Sequence, residues 1–192
     1  MKNKIINKDH FKTSLWSGGK TTELYIYPEN AIYKNKDFLF RLSSATVELE
    51  KSNFTPLEGI KRFIAPIDGS LKLFHQDTEI YLEPYDCYAF DGGVETTSEG
   101  KVTDFNLMLS KDVSGTLQSF FLEKMIKIKG SDTRDNLWLI YAPEISLSII
   151  GKETYHLPSG DLGIFIKEPI LSFSSDEKSY FFIAKIQINS ID

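Results

Sequence analysis

The feature that most constrains this chain is its rhythm. Short runs rich in Ile, Phe, Tyr and Thr recur along nearly the whole length, cut by Gly, Pro, Asp and Asn. No long segment carries apolar residues at helical spacing between caps, and Ala, the strongest helix former, occurs only 6 times. The pattern predicts strands over 23–27, 38–45, 62–67, 71–75, 79–82 and 104–109. A second set is predicted over 137–141, 145–150, 162–166, 170–173 and 180–188. Residues 116–128 are open, since Leu117, Phe120, Phe121 and Met125 fit a helix face as well as a strand. Many short strands at even spacing indicate an all-β sandwich or barrel. The 192 residues, 41% hydrophobic, suffice for a packed core, and no Pro-rich linker divides them.

Composition removes several classes of function. No apolar run approaches the roughly 18 residues that cross a bilayer, and the opening residues lack the apolar stretch of a signal peptide. The expected setting is therefore the cytoplasm. Net charge is −5, with Lys and Glu scattered, so neither nucleic acid nor a membrane surface is expected as a partner. A lone Cys87 excludes a disulfide framework within the chain and reads as a buried thiol in an aromatic strand. Three histidines, His10, His75 and His156, stand apart from one another, so no cofactor or metal is expected. Gly18-Gly19-Lys20-Thr21-Thr22 mimics the end of a phosphate loop, but Thr13 occupies the position of its first glycine. No Gly-x-Ser-x-Gly elbow is present.

Two patterns remain. Residues 70–90 and 146–165 form a repeat: a strand, a turn, Glu-x-Tyr (Tyr81, Tyr155), a Pro (Pro84, Pro158), an Asp (Asp86, Asp161), then a strand ending in Phe90 or Phe165. Pro158-Ser159-Gly160-Asp161 resembles the Pro-x-Gly-Asp turn common in cupins. The repeat therefore predicts a bicupin, two double-stranded β-helix barrels in one chain. The first barrel is expected over about residues 10–110 and the second over about 111–192.

The other pattern is a set of polar residues inside apolar strands. The chain has 19 Lys but only 3 Arg, at positions 41, 62 and 134. An arginine kept against such a bias suggests a need for its planar, permanently charged fork. In 38–45, strand alternation puts Arg41, Ser43 and Ala45 on one face and Phe38, Phe40 and Leu42 on the other. In 104–109, Asp104, Asn106 and Met108 share a face in the same way. An arginine on such a face is either bridged internally, to Asp104 or Glu23, or looks into a ligand cavity.

These residues carry a resemblance. Trp16-Ser17-Gly18-Gly19-Lys20-Thr21-Thr22-Glu23, Phe40-Arg41-Leu42-Ser43-Ser44-Ala45, the block from Phe54 through Gly59 to Arg62, Phe90-Asp91-Gly92 and Asp104 to Met108 resemble, in order, the motifs of the HutD/Ves family. Ser17 and Lys20 depart from it, since many members have Asn and a third Gly there. The resemblance implies a bicupin fold, a bacterial cytoplasmic setting, and binding of a small carboxylate such as formylglutamate in histidine utilisation. It attaches no firm enzymatic activity.

Together these readings predict a metal-independent cupin that binds a small carboxylate in a sensing or regulatory role. Arg41 or Arg62 would grip the carboxylate, with Ser43, Asn106, Asp104, Thr22 and Glu23 in the polar lining and Trp16 and Phe90 as walls. The alternative is an isomerase or hydrolase using the same pocket, its base drawn from Glu23, Asp104 or His75. A homodimer through a strand edge or an aromatic face is compatible with either.

Overall fold

Every segment predicted as a strand contains one in the computed structural model, which describes residues 2–130 and 136–188. Arg134 lies outside the described residues. Among the described residues all strand pairs are antiparallel, and the only helical turns are short 3-10 turns at Lys8–His10 and Tyr33–Asn35. The chain is all-β. No helix of the described residues is long and apolar enough to cross a membrane.

The strands fall into two units. The first unit is Phe11–Asp112 and the second joins Met1–His10 to Val113–Asp192. The opening strand, β1 (Lys4–Ile6), thus belongs to the second unit, whereas the sequence pattern places the start of that unit near residue 111. In chain order the first unit then contains β2 (Lys12–Trp16), β3 (Gly19–Tyr27), β4 (Phe40–Val47), β5 (Lys51–Asn53) and β6 (Ile60–Asp68). It continues with β7 (Leu71–His75), β8 (Thr78–Leu82), β9 (Tyr88–Asp91), β10 (Thr96–Glu99) and β11 (Val102–Ser110). The second unit follows with β12 (Ser114–Leu122), β13 (Ile126–Lys129), β14 (Asn136–Tyr141) and β15 (Leu147–Ile150). It ends with β16 (Thr154–Leu157), β17 (Leu162–Ile166), β18 (Ile170–Ser174) and β19 (Ser179–Gln187).

Each unit is built from two sheets. The first has a six-stranded sheet ordered β2-β3-β4-β11-β6-β9 and a four-stranded sheet ordered β5-β10-β7-β8. The second has β1-β17-β14-β19-β12 and β13-β18-β15-β16. Advancing each label by eight converts β4-β11-β6-β9 into β12-β19-β14-β17, and β5-β10-β7-β8 into β13-β18-β15-β16. The repeat seen in the sequence is β7-β8-β9 against β15-β16-β17, and it occupies matching places in this order. The turn aspartates differ. Asp86 accepts a hydrogen bond from the Glu83 amide, closing its own turn (3.0 Å), whereas Asp161 accepts from the amide of Lys8 in the opening segment (2.9 Å).

Apolar side chains between the sheets form the cores. Val47, Ile64, Leu71, Leu73, Leu82 and Val102 cluster in the first unit. Trp138, Leu147, Ile149, Phe165, Phe173 and Phe181 do so in the second. Each such side chain contributes about 1.5–3 kcal/mol by leaving water.

The open segment 116–128 forms β12 and β13. β12 pairs along its whole length with β19, from Ser114 opposite Gln187 to Leu122 opposite Ser179. Strand pairing settles what local spacing leaves ambiguous, because the backbone groups of the segment then find partners across the ladder. Strands β1, β2, β5 and β10 have no counterpart in the sequence pattern. All but β2 have 3–4 residues, and β2 is exposed throughout, so none carries an alternating apolar signal.

Candidate functional site

The first unit holds a cavity of about 540 Å³, and strand register explains its lining. On β4, Arg41, Ser43, Ala45 and Val47 face the cavity, as alternation requires. On β11, Asp104, Asn106 and Met108 face it and lie directly opposite Ala45, Ser43 and Arg41. Met108 is also opposite Arg62 on β6. The two arginines therefore flank one methionine, two strands apart, or roughly 10 Å across the sheet. Large apolar residues occupy the reverse face of both strands: Phe40 and Leu42 on β4, Phe105, Leu107 and Leu109 on β11.

The arginines have different surroundings. Arg41 donates from Nε to Glu23 Oε2 at 2.7 Å and from Nη1 to Ser43 Oγ at 3.0 Å, and its guanidinium lies 4.3 Å from the centre of the Tyr33 ring. Its charge is answered within the protein. Arg62 is 7% exposed and forms no ion pair among the described residues, and its buried Nε has no hydrogen-bond partner. Aromatic rings support it instead: its guanidinium lies 4.7 Å from the Phe54 ring centre and 5.3 Å from that of Phe90. Burial lowers its pKa, yet an arginine remains protonated at neutral pH. A second buried polar atom without a partner, Ser52 Oγ, lines the same cavity. Buried polar groups are nearly always satisfied, so two orphans in one cavity mark a place where something else supplies the partner.

Asp104 sits on the cavity floor, 2% exposed. Its Oδ1 accepts a hydrogen bond from Asn106 Nδ2. Burial raises its pKa to about 7, against the opposing effects of Asn106, the Ala45 amide and the positive charge of Arg62. Asp104 therefore changes protonation near neutral pH.

The structure brings together most of the residues read from the sequence. Arg41, Ser43, Arg62, Asp104, Asn106 and Trp16 line the cavity. Glu23 stands behind Arg41 as its partner, and Phe90 stands behind Arg62 as a supporting ring. Thr22 is a correction. It pairs with Ser44 on the opposite face and its Oγ1 meets Thr13 Oγ1 at 2.9 Å, while its neighbour Thr21 lines the cavity. Trp16, at the end of β2, is 41% exposed and its ring covers Gly18, where an added Cβ would lie 2.1 Å from the indole.

Sequence reasoning misses Ser52, Asn53 and Thr55, which border the cavity beside Phe54, and also Tyr33 and Lys34. For Thr21 a signal exists, since Glu23 and Thr21 share a face by alternation. For Ser52 there is none, because β5 is three polar residues with no period. The expected buried thiol also differs: Cys87 is only half-buried.

His75 does not reach the cavity lining. Its Nδ1 lies 2.9 Å from Thr96 Oγ1, its ring lies 5.0 Å from that of Phe90, and burial lowers its pKa. His156 belongs to the second unit. Among the described residues no three His, Cys, Asp or Glu side chains converge as a metal-ligating group.

A family model described as HutD matches residues 8–183. No curated protein matches the sequence. Among solved structures, a conserved protein of unknown function, PA5104 from Pseudomonas aeruginosa PAO1, is similar with a TM-score of 0.85 at 19% identity, covering 98% of this chain and 100% of that one. HutD from Pseudomonas fluorescens SBW25, in a formate condition, is similar with a TM-score of 0.78 at 18% identity, over 98% and 100%. The bacterial pirin YhhW from Escherichia coli, in complex with nickel(II), is similar with a TM-score of 0.72 at 7% identity, over 97% and 99%. At these identities the likeness establishes an all-β, cupin-type fold.

Proposed function

This chain belongs to the HutD family, and from that premise we propose that it is a metal-independent bicupin whose first unit binds a small carboxylate metabolite of the formylglutamate kind, in a sensing or regulatory role in histidine utilisation or related metabolism. The observation that carries the reading is the buried guanidinium of Arg62, whose Nε lacks an acceptor on the wall of a cavity rich in neutral donors. A carboxylate placed there gains charge-assisted hydrogen bonds from Arg62, with Ser52, Ser43 and Asn106 available to complete its shell. The repetition of strand order between the two units supports the bicupin part of the reading.

The test is calorimetric titration of the full chain with N-formylglutamate, glutamate, formate and urocanate, alongside Arg62→Lys. Hydrogen bonds to charged groups are worth about 1.5–3 kcal/mol each, so Arg62→Lys should weaken binding by roughly 10- to 100-fold while the protein still folds. Absence of binding at millimolar concentration, or equal binding by the variant, overturns the proposal.

One observation favours a second reading, an isomerase or hydrolase in the same cavity. Asp104 titrates at about 7, the range that suits a general base at neutral pH. Turnover of a bound carboxylate, abolished in Asp104→Asn, would select it.

A further inference from the structure

The charges around the cavity of the first unit do not balance for an anionic ligand unless one group changes its protonation. On β4, Arg41 is matched by Glu23 of β3 at 2.7 Å, and the pair contributes no net charge. On β6, Arg62 contributes one positive charge and has no ion-pair partner among the described residues. On β11, Asp104 contributes one negative charge when ionised. The facing sheet adds none: His75 on β7 is turned to Thr96 and the Phe90 ring, and its lowered pKa keeps it neutral at pH 7. Tyr33 lies under Arg41, and Lys34 is an exposed amine at the rim, where solvent screens it.

With Asp104 ionised, the interior is neutral, and an entering carboxylate would leave it with a buried excess negative charge. Such a charge is costly away from water, and two carboxylates sharing one site do not both remain ionised. The single positive charge of Arg62 cannot neutralise both of them.

Resting on the carboxylate-binding reading, we propose that Asp104 sets the specificity of the cavity: it is protonated when the ligand carboxylate is bound, so that each anion enters together with one proton. Protonated, Asp104 changes from acceptor to donor and offers its O–H to the incoming oxygen while Asn106 keeps its bond to the other oxygen. The proton comes from solvent and returns to it on release. Arg62 then has the ligand as its sole counter-charge. A neutral amide or alcohol of the same shape draws in no proton and gains no bond to a charged partner. The titration of Asp104 near neutrality is consistent with this exchange.

The experiment is calorimetric titration of the full chain with sodium N-formylglutamate from pH 6 to pH 9. It is run in pairs of non-carboxylate buffers with different heats of ionisation, which count the protons exchanged. Carboxylates of the ligand titrate near 4, so they do not contribute in this range. The expected result is uptake approaching one proton per ligand at pH 8 to 9, and affinity about a hundredfold weaker at pH 9 than at pH 6. Asp104→Asn, which mimics the protonated form in shape, should bind with the wild-type pH 6 affinity at every pH and exchange no proton. Binding of the wild type with flat affinity and no proton exchange overturns this proposal and leaves the carboxylate reading intact. Absence of binding at every pH overturns both. Should Asp104→Asn fail to fold, the wild-type proton count alone decides.

Discussion

Arg41 and Arg62 lie on either side of Met108 and carry the same charge, but only one is free to meet a ligand. Arg41 already holds Glu23 and Ser43, so its first duty is structural. Arg41→Met should lower unfolding stability by about 2–4 kcal/mol, because Glu23 is left partly buried without its partner. Chemical denaturation measures this; unchanged stability with lost ligand binding would make Arg41 the anion site instead. That Arg41 shares a face with Ser43 and Ala45 is legible in the sequence, since alternation in 38–45 is unambiguous, whereas Arg62 is read there only as the first residue of a strand that in fact begins at Ile60. Which of the two arginines is paired is not legible. That depends on β3 lying beside β4 with Glu23 opposite Ser43, a register broken by an irregularity between Glu23 and Tyr25 that no local pattern announces. Asp104 is legible as a polar residue on an inward face, but its shifted titration follows from complete burial, which belongs to the folded sheet pair.

At the scale of elements, β3 and β4 depend on a glycine. Gly19 has φ of +150°, and a Cβ there would lie 1.9 Å from the carbonyl oxygen of Thr46 on β4. Backbone cannot swing aside as a side chain can, so Gly19→Ala must separate the two strands at that point. It should cost more than about 3 kcal/mol, combining an unfavourable φ with an overpacked contact. Gly59 is the control: its φ is +73°, but a Cβ added there would meet nothing within 4 Å, so Gly59→Ala should cost only about 1–2 kcal/mol. Equal losses in urea unfolding would refute the close-approach argument. Long strands such as 62–67 and 180–188 are readable because each buries a run of apolar residues. β2 and β5, which deliver Trp16 and Ser52 to the cavity, are not, since their placement comes from pairing with β3 and β10.

Across the whole molecule, two units repeat one strand order, and the few strands that break the repetition set the units apart. β2 and β3 extend the first unit's larger sheet beside β4, where Thr21 and Trp16 join the cavity wall. β1 extends the second unit beside β17, and Asn3 just before it anchors that edge. Its Oδ1 accepts from the Ile166 amide at 2.8 Å, and its Nδ2 donates to Glu168 Oε1 and to the Tyr155 hydroxyl, each at 3.2 Å. Glu168 is 1% exposed, so Asn3→Ala strips a donor from a buried carboxylate and should cost about 1–3 kcal/mol in thermal unfolding. A change below about 0.5 kcal/mol would show that the anchor is dispensable. The repeat in 70–90 and 146–165 is readable because the turn residues recur, whereas the assignment of the opening segment to the second unit is not. No local feature of Lys4 to Ile6 points to a partner so far along the chain.

The pairing of Lys4 with Ile164 also sets a timetable for synthesis. A ribosome adding about 5–20 residues per second releases β1 on the order of ten seconds before β17 has been polymerised. Meanwhile every strand of Phe11–Asp112 has been made, and the leading segment is still waiting for its neighbour. Residues 4–6 thus wait longer for their partner strand than any strand of the first unit waits for its own. Translation halted after Asp112 but before Leu162 leaves a full set of first-unit strands trailing an idle leader.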